Sequence, residues 1–265
     1  MAGTIGGLTY GVAKDITLIG VKVLNGRNGS MQWLISGIQY VIRERIRLLR
    51  QAKATNTRAR PFVINLSLGG PVVCPIIEAI EDATKLGIVA ITAAGNDNRD
   101  ACLNAPGCVS TVINVGGSNR NDARHVQNQA SGSHFGPCVD LFAPGRDILS
   151  AHVGSNTDSR TVTGTSMAAP HVAGVAALYL ERDSTMTVLD VKEAIIGDSL
   201  PNRLTNIGTG SPNRLLNKEK LAFGTLPDQK GDPRVTQTSS TYRMTGTLGL
   251  HMTVGTLLAT MMMVA

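Results

Sequence analysis

The sequence predicts an α/β fold built around a mostly parallel sheet, and three observations point there. Short runs rich in Val, Ile and Leu recur along the chain and are apolar throughout, as strands covered on both faces must be. Between them stand runs whose apolar residues recur at helical spacing, the order that lays helices on a parallel sheet. With 265 residues and 42% hydrophobic content the chain can bury a substantial core; at 3% aromatics, that core must come from Ala, Val, Ile and Leu.

The elements follow in order. "ITLIGVKVL" (16–24) reads as the first buried strand. A long amphipathic helix follows from about Ser30, a suitable N-cap, with Ile38, Ile42, Ile46 and Leu49 as its apolar stripe. "FVINLSLGG" (62–70) is the next strand, ended by glycines. "PIIEAIEDATKL" (75–86) is a helix with proline in its first turn and Gly87 as its stop. "GIVAITAAGN" (87–96) is a strand running into a glycine turn, and 110–118, 138–145 and 147–152 supply further short strands. A helix from Ser166 and another over about 187–197 complete the pattern. After Asn217 the composition turns polar without periodicity. The folded unit is therefore expected over 1–217, and 218–265 as a tail with an apolar C-terminus.

Net charge is +6, and much of it lies in residues 43–60, "RERIRLLRQAKATNTRAR". No aromatic stacking residues accompany these charges, so they read as the wet face of the helix and no nucleic-acid partner is expected. Cys74, Cys102, Cys108 and Cys138 form no CxxC pair, which argues against zinc and leaves one or two disulfides or four thiols open. Residues 1–15 lack the basic and apolar regions of a secretory signal. The apolar run at 247–265 is interrupted by glycine, threonine and His251, so no membrane assignment is made.

Chemistry concentrates in "GTSMAAPHVAG" (164–174). Ser166 would sit at a helix N-terminus, where free N–H groups and the dipole favour negative charge; Gly164 permits a tight approach. Pro170 reads as tolerated because a first-turn residue has no helical N–H bond to lose. A simple N-cap is the alternative. Asn96, in "AAGNDN", offers an amide donor for an oxyanion beside Ser166; an Asx-turn is the alternative.

"GTSMAAPHVAG", "NLSLGG", "AAGN" and "FAPG" stand in the order of the subtilisin-like serine proteases and resemble their proteinase K-like branch most, over roughly residues 2–217, with "SPNRLLN" (211–217) resembling the domain's end. The resemblance implies a three-layer α/β sandwich lacking its N-terminal strands. Ser166 becomes the nucleophile, with Asn96 and the Ser166 N–H as the oxyanion hole. Ser67, Leu68 and Gly69 would pair with substrate backbone, and Ala93, Ala94 and Gly95 would wall the pocket. Cys102 and Cys138 resemble a bridging pair, and Asp140 a calcium ligand; the chemistry itself needs no cofactor. Protein or peptide substrates and an extracellular location are implied, with a propeptide or a separate N-terminal segment as partner.

An acyl-transfer serine needs a base and a carboxylate to orient it. By resemblance the histidine, in a motif of the type HGTHVAGT, would fall four residues before Met1, with the aspartate further upstream. His171 should point away from Ser166 on its own helix, and His125, His134, His152 and His251 match no family base. The chain is therefore expected to be part of a serine endopeptidase domain, inactive alone. The alternative is a non-catalytic peptide-binding module. In the family the aspartate strand lies between those matching 16–24 and 62–70, so two open inner edges and poor solubility are also expected.

Overall fold

The computed structural model describes residues 1–25, 28–219 and 221, and the backbone of 261–264. The chain begins with α1 (Ala2–Gly6), β1 (Leu18–Val21) and a small hairpin of β2 (Leu24–Asn25) and β3 (Asn28–Gly29). It continues through α2 (Met31–Ala54), β4 (Phe62–Leu66), α3 (Cys74–Lys85), β5 (Ile88–Ala93) and β6 (Ile113–Ser118). A second hairpin, β7 (Val126–Asn128) and β8 (Ser131–Gly132), precedes β9 (Leu141–Pro144). Then come β10 (Ile148–Ala151), β11 (Ser159–Val162), α4 (Thr165–Arg182), α5 (Val188–Asp198), β12 (Leu200–Pro201), β13 (Arg214–Leu215) and β14 (Met261–Val264).

One sheet of order β1-β14-β4-β5-β6-β9-β13-β12 organises these elements. Its centre, β4 to β9, is parallel, with Val63 opposite Val89, Ile91 opposite Ile113 and Val115 opposite Leu141. Every residue of β4, β5 and β6 is buried, which is why these runs are apolar without alternation. Successive side chains point to opposite faces. Val63, Val89, Ile91 and Val115 pack with Ala168, Val172, Ala173 and Ala176 of α4. Ile64, Leu66, Ile88 and Ala90 pack with Leu34, Ile38 and Val41 of α2 and Ile80 of α3. The result is helix on sheet on helix, the three-layer arrangement expected. The small residues of α4 permit close approach: a Cβ on Gly174 would lie 2.6 Å from Val12 Cβ.

Several elements differ in detail from expectation. The run 16–24 is regular strand only over Leu18–Val21, because Leu24–Asn25 turns into the first hairpin. Residues 148–151 pair with 159–162 in a separate ribbon rather than in the main sheet. Ser30 does cap α2, its hydroxyl accepting from Trp33 N at 3.1 Å. The buried stripe of that helix is Leu34, Gly37, Ile38, Val41 and Ala52; Ile42 and Ile46 are half-buried and Leu49 exposed. Arg45 takes part of that face instead, its guanidinium 5.6 Å from the Phe62 ring centroid and its Nε donating to Leu86 O. Arg43, Arg47 and Arg50 are exposed.

The expected pair of open inner edges is closed. β14 lies between β1 and β4, antiparallel to both, with Val264 opposite Leu18 and Val63, and Met262 opposite Gly20 and Asn65.

Candidate active site

Three chain segments meet at the carboxyl ends of the parallel strands, the usual ligand position in open α/β sheets. They are the exit of β4 at Ser67, the exit of β5 at Ala94–Asn96, and the N-terminus of α4. Gly164 caps that helix at φ 148°, a backbone region that suits glycine, and its N–H donates to Gly145 O at 2.7 Å. The helix starts at Thr165, so Ser166 is its second residue.

Thr165 ties the segments together. Its N–H donates to Asn96 Oδ1 at 2.8 Å, its hydroxyl donates to the same oxygen at 3.2 Å, and that hydroxyl accepts from Gly95 N at 3.2 Å. Asn96 thus spends its carbonyl oxygen on the helix end. Its Nδ2 makes no hydrogen bond to the described residues, nor does the Ser166 N–H. The oxygen is anchored and the donors are open, which is how an amide must be held to meet a forming oxyanion.

Ser166 and Ser67 face each other reciprocally. Ser166 Oγ donates to Ser67 O at 3.3 Å, and Ser67 Oγ donates to Ser166 O at 2.9 Å. The second bond explains Pro170, which is the sixth residue of α4 and lies beyond the first turn, contrary to expectation. In an unbroken helix the N–H of residue 170 would serve Ser166 O; proline has none, and the Ser67 hydroxyl takes its place. Asn65 Nδ2 completes the chain by donating to Ser67 Oγ at 2.8 Å.

The other expected groove residues surround this pair. Leu68 is half-buried and Gly69 exposed, and neither makes a backbone hydrogen bond to the described residues, leaving a short free edge. A Cβ on Gly69 would lie 2.5 Å from Asn104 Nδ2. The side chains of Ala93 and Ala94 point into the core, at 4% and 0% exposure, so what they offer a ligand is backbone. Gly95 has φ 120° and lies against the His134 ring.

No described histidine bonds Ser166. His171 is bound at Nδ1 to Met167 O, 2.8 Å away, and burial holds its pKa below the ordinary value. His152 pairs with Asp158 at 2.6 Å on the β10–β11 ribbon. His125 and His134 are buried, the latter against Gly95, and neither bonds Ser166; His251 lies outside the described residues.

Cys102 and Cys138 form the disulfide, while Cys74 and Cys108 are free. Asp140 does not fit a calcium ligand. Its Oδ1 accepts from Lys192 Nζ at 2.8 Å and its Oδ2 from Asn114 N at 2.8 Å, so a cation would displace an ammonium. Burial pushes this carboxyl up, against the opposing pull of Lys192. Among the described residues no cluster of three or more His, Cys, Asp or Glu side chains has metal-site spacing, and no helix is long and apolar enough to cross a membrane. Sequence reasoning missed Thr165, although it directly precedes Ser166. It also missed the seat of His134, which carries no motif signal.

Comparison with known proteins places the chain in a family. The profile of the Subtilase family matches residues 1–229. The chain is 44% identical over 218 residues to an extracellular serine proteinase of Thermus sp., covering 82% of this chain and 48% of that protein. It is 39% identical over 216 residues to an alkaline proteinase of Hapsidospora chrysogena, covering 82% and 50%. The chain therefore spans about half the length of these curated relatives. A solved cold-adapted subtilisin-like serine proteinase superposes with a TM-score of 0.70 at 37% identity, over 81% of this chain and 71% of that one.

Proposed function

Because the chain belongs to the subtilase family, we propose that it carries the nucleophile and oxyanion half of a serine endopeptidase site. Ser166 Oγ attacks the carbonyl carbon of a peptide bond. The charge that gathers on the carbonyl oxygen is met by Asn96 Nδ2 and the Ser166 N–H, the two open donors at the head of α4. The tetrahedral adduct collapses by breaking the C–N bond, the amine leaves with a proton, and water later releases the acyl group from Ser166. The substrate backbone lies along Leu68 and Gly69, whose own hydrogen-bonding groups are unused, and its side chains meet a pocket floored by the 93–95 backbone.

The anchoring of Asn96 Oδ1 by Thr165 N is the observation that carries this reading, since an Asx-turn would use that oxygen within its own loop. Among the described residues no imidazole bonds Ser166, so this reading requires a proton acceptor and an orienting carboxylate beyond those described. By itself the chain keeps only the oxyanion and binding contribution, roughly 10³–10⁴ over water in figures obtained on this same family. Protein or peptide is the substrate, and the segment bearing the acid–base pair is the natural partner. The Cys102–Cys138 disulfide fits an oxidising, extracellular setting.

The test is residual hydrolysis of an activated peptide ester by the full chain. Asn96→Ala should lower it by roughly 10²–10³, a magnitude established in this family. Ser166→Ala should change it little until the acid–base segment is supplied, and should abolish the added rate then. An unchanged residual rate in Asn96→Ala overturns the reading. A groove that binds peptide with no Ser166-dependent turnover, even with the acid–base segment supplied, favours the non-catalytic module, whose one support is the free edge at 68–69.

A further inference from the structure

The turn that carries Asn96 rests on an imidazole. Residues 95–101 are laddered against 132–135: His134 N donates to Gly95 O at 2.9 Å, Gly132 N to Asn96 O at 2.9 Å, and Asn98 N to Gly132 O at 2.9 Å. Phe135 N donates to Arg99 O and Ala101 N to Phe135 O, so the segment is pinned at both ends. His134, 5% exposed, sets its ring against Gly95. A Cβ at that position would fall 2.3–2.7 Å from three ring atoms. Neither ring nitrogen has a hydrogen-bond partner among the described residues. Asp97 Oδ2 stands 3.7 Å from Nε2, inside ion-pair range but beyond hydrogen-bonding range.

We propose that His134 is a positioning residue for the Asn96 amide: the neutral imidazole under Gly95 holds the turn in its open-donor form, and protonation of the ring moves it. This rests on the assignment of Asn96 as oxyanion donor. The charged groups facing His134 are few. From the turn itself, Asp97 attracts an imidazolium and Arg99 repels it, while Arg99 holds the same Asp97 oxygen at 3.0 Å. From the opposite side, the Arg124 guanidinium holds Asn98 Oδ1 at 2.7 Å and stacks 5.0 Å from the Phe135 ring centroid. Burial favours the neutral ring first, so His134 charges below the ordinary histidine range.

Once charged, Nε2–H is a strong donor facing a carboxylate across 3.7 Å, and such pairs close to about 2.7–2.9 Å. The imidazole is packed and cannot travel. Asp97 is exposed, so it moves, and Asn96 is the residue bonded to it. Asn96 Oδ1 then shifts from Thr165, and its amide leaves the oxyanion position. Misplacement on the order of an ångström costs up to about 10²-fold in rate or in affinity for a tetrahedral adduct.

The experiment follows the His134 ring C–H and the Asn96 side-chain amide of the full chain by NMR between about pH 4.5 and 8. In parallel, an alanine-based tripeptidyl boronic acid is titrated as adduct probe. The Asn96 amide should shift with the same midpoint as the His134 ring, and probe affinity should fall about ten- to a hundredfold below that midpoint. Asp97→Asn, at an exposed position that does not threaten folding, should leave the ring titrating but flatten the Asn96 response and the affinity loss. His134→Gln, neutral at every pH, should restore the high-pH affinity at low pH. An Asn96 amide indifferent to His134, a ring that stays neutral until the chain unfolds, or an inflection unchanged in Asp97→Asn overturns the proposal. Probe affinity in Ser166→Ala at pH 8 judges the acyl-transfer reading separately: if it equals that of the unmodified chain, that reading falls while the NMR coupling still decides the role of His134.

Discussion

The hydrogen bond from Ser67 to Ser166 O makes a quantitative claim about Pro170. Ser67→Ala removes two contacts, the part-buried Ser67 Oγ to Ser166 O at 2.9 Å and the buried Asn65 Nδ2 to Ser67 Oγ at 2.8 Å. Each bond contributes about 0.5–1.5 kcal/mol net, and a stranded buried partner costs about 1–3 kcal/mol. Asn65 is fully buried and its Oδ1 already lacks a partner, so losing the amide's acceptor leaves that side chain unpaired at both ends. The sum is about 2–4 kcal/mol, or roughly 5–10 °C in Tm for a domain of this size.

Pro170→Ala changes that sum in a defined way. An alanine there supplies the helical N–H, so Ser166 O keeps a partner when Ser67 loses its hydroxyl. Only the Asn65 amide is then stranded, and Ser67→Ala should cost about 1–2 kcal/mol less than in the unmodified chain. Thermal melts of the four chains of this double-mutant cycle give the coupling directly. If Ser67→Ala costs the same in both backgrounds, Pro170 is not what recruits Ser67, and the account of the nucleophile's carbonyl fails.

Two further outcomes are expected. Burial depresses the pKa values of His125, His134 and His171, so above pH ~6.5 all three are neutral whether folded or unfolded. As pH falls below that value the unfolded chain takes up protons before the folded one. Tm should therefore decline from pH ~6.5 until the folded values are reached, then level off until carboxylates titrate; a melt independent of pH from 7 to 5 would refute this. Cys102→Ser with Cys138→Ser opens a link spanning 36 residues, for which loop closure gives about 4 kcal/mol. Chemical denaturation should show a loss of about 2–4 kcal/mol, and a loss under 1 kcal/mol would show that the ladder between 95–101 and 132–135 suffices alone.

What the sequence made legible was set by how local its causes are. Ser30 reads as a cap because its partner, Trp33 N, is three residues away, and Gly87 reads as a stop because its φ of 74° is a property of the turn. The three-layer arrangement follows from runs such as 62–66 and 88–93, whose apolarity on both faces has no other outlet. Ser166 and Asn96 were found together only through motif order, since 70 positions separate them and no periodicity joins them. Pro170 was misjudged because its compensating hydroxyl lies 99 residues away from Ser166. Asp140 was misread for a similar reason: Lys192 reaches it from α5, and nothing in "VDLFAPG" announces a lysine fifty residues on.

β14 connects the C-terminal run to the site through β4. An inner edge with buried neighbours leaves a row of N–H and C=O groups that must pair, whatever segment supplies the partner. "MMMV" carries no charge or proline to oppose pairing, and it enters antiparallel where its flanking strands run parallel to each other. Its four residues reach only Val63–Asn65 on β4. Pairing at Asn65 fixes the end of β4 two residues before Ser67, and Ser67 holds the carbonyl of Ser166. The apolar C-terminus therefore bears on the nucleophile through one strand and one hydrogen bond, although no residue of the 261–264 segment belongs to the site.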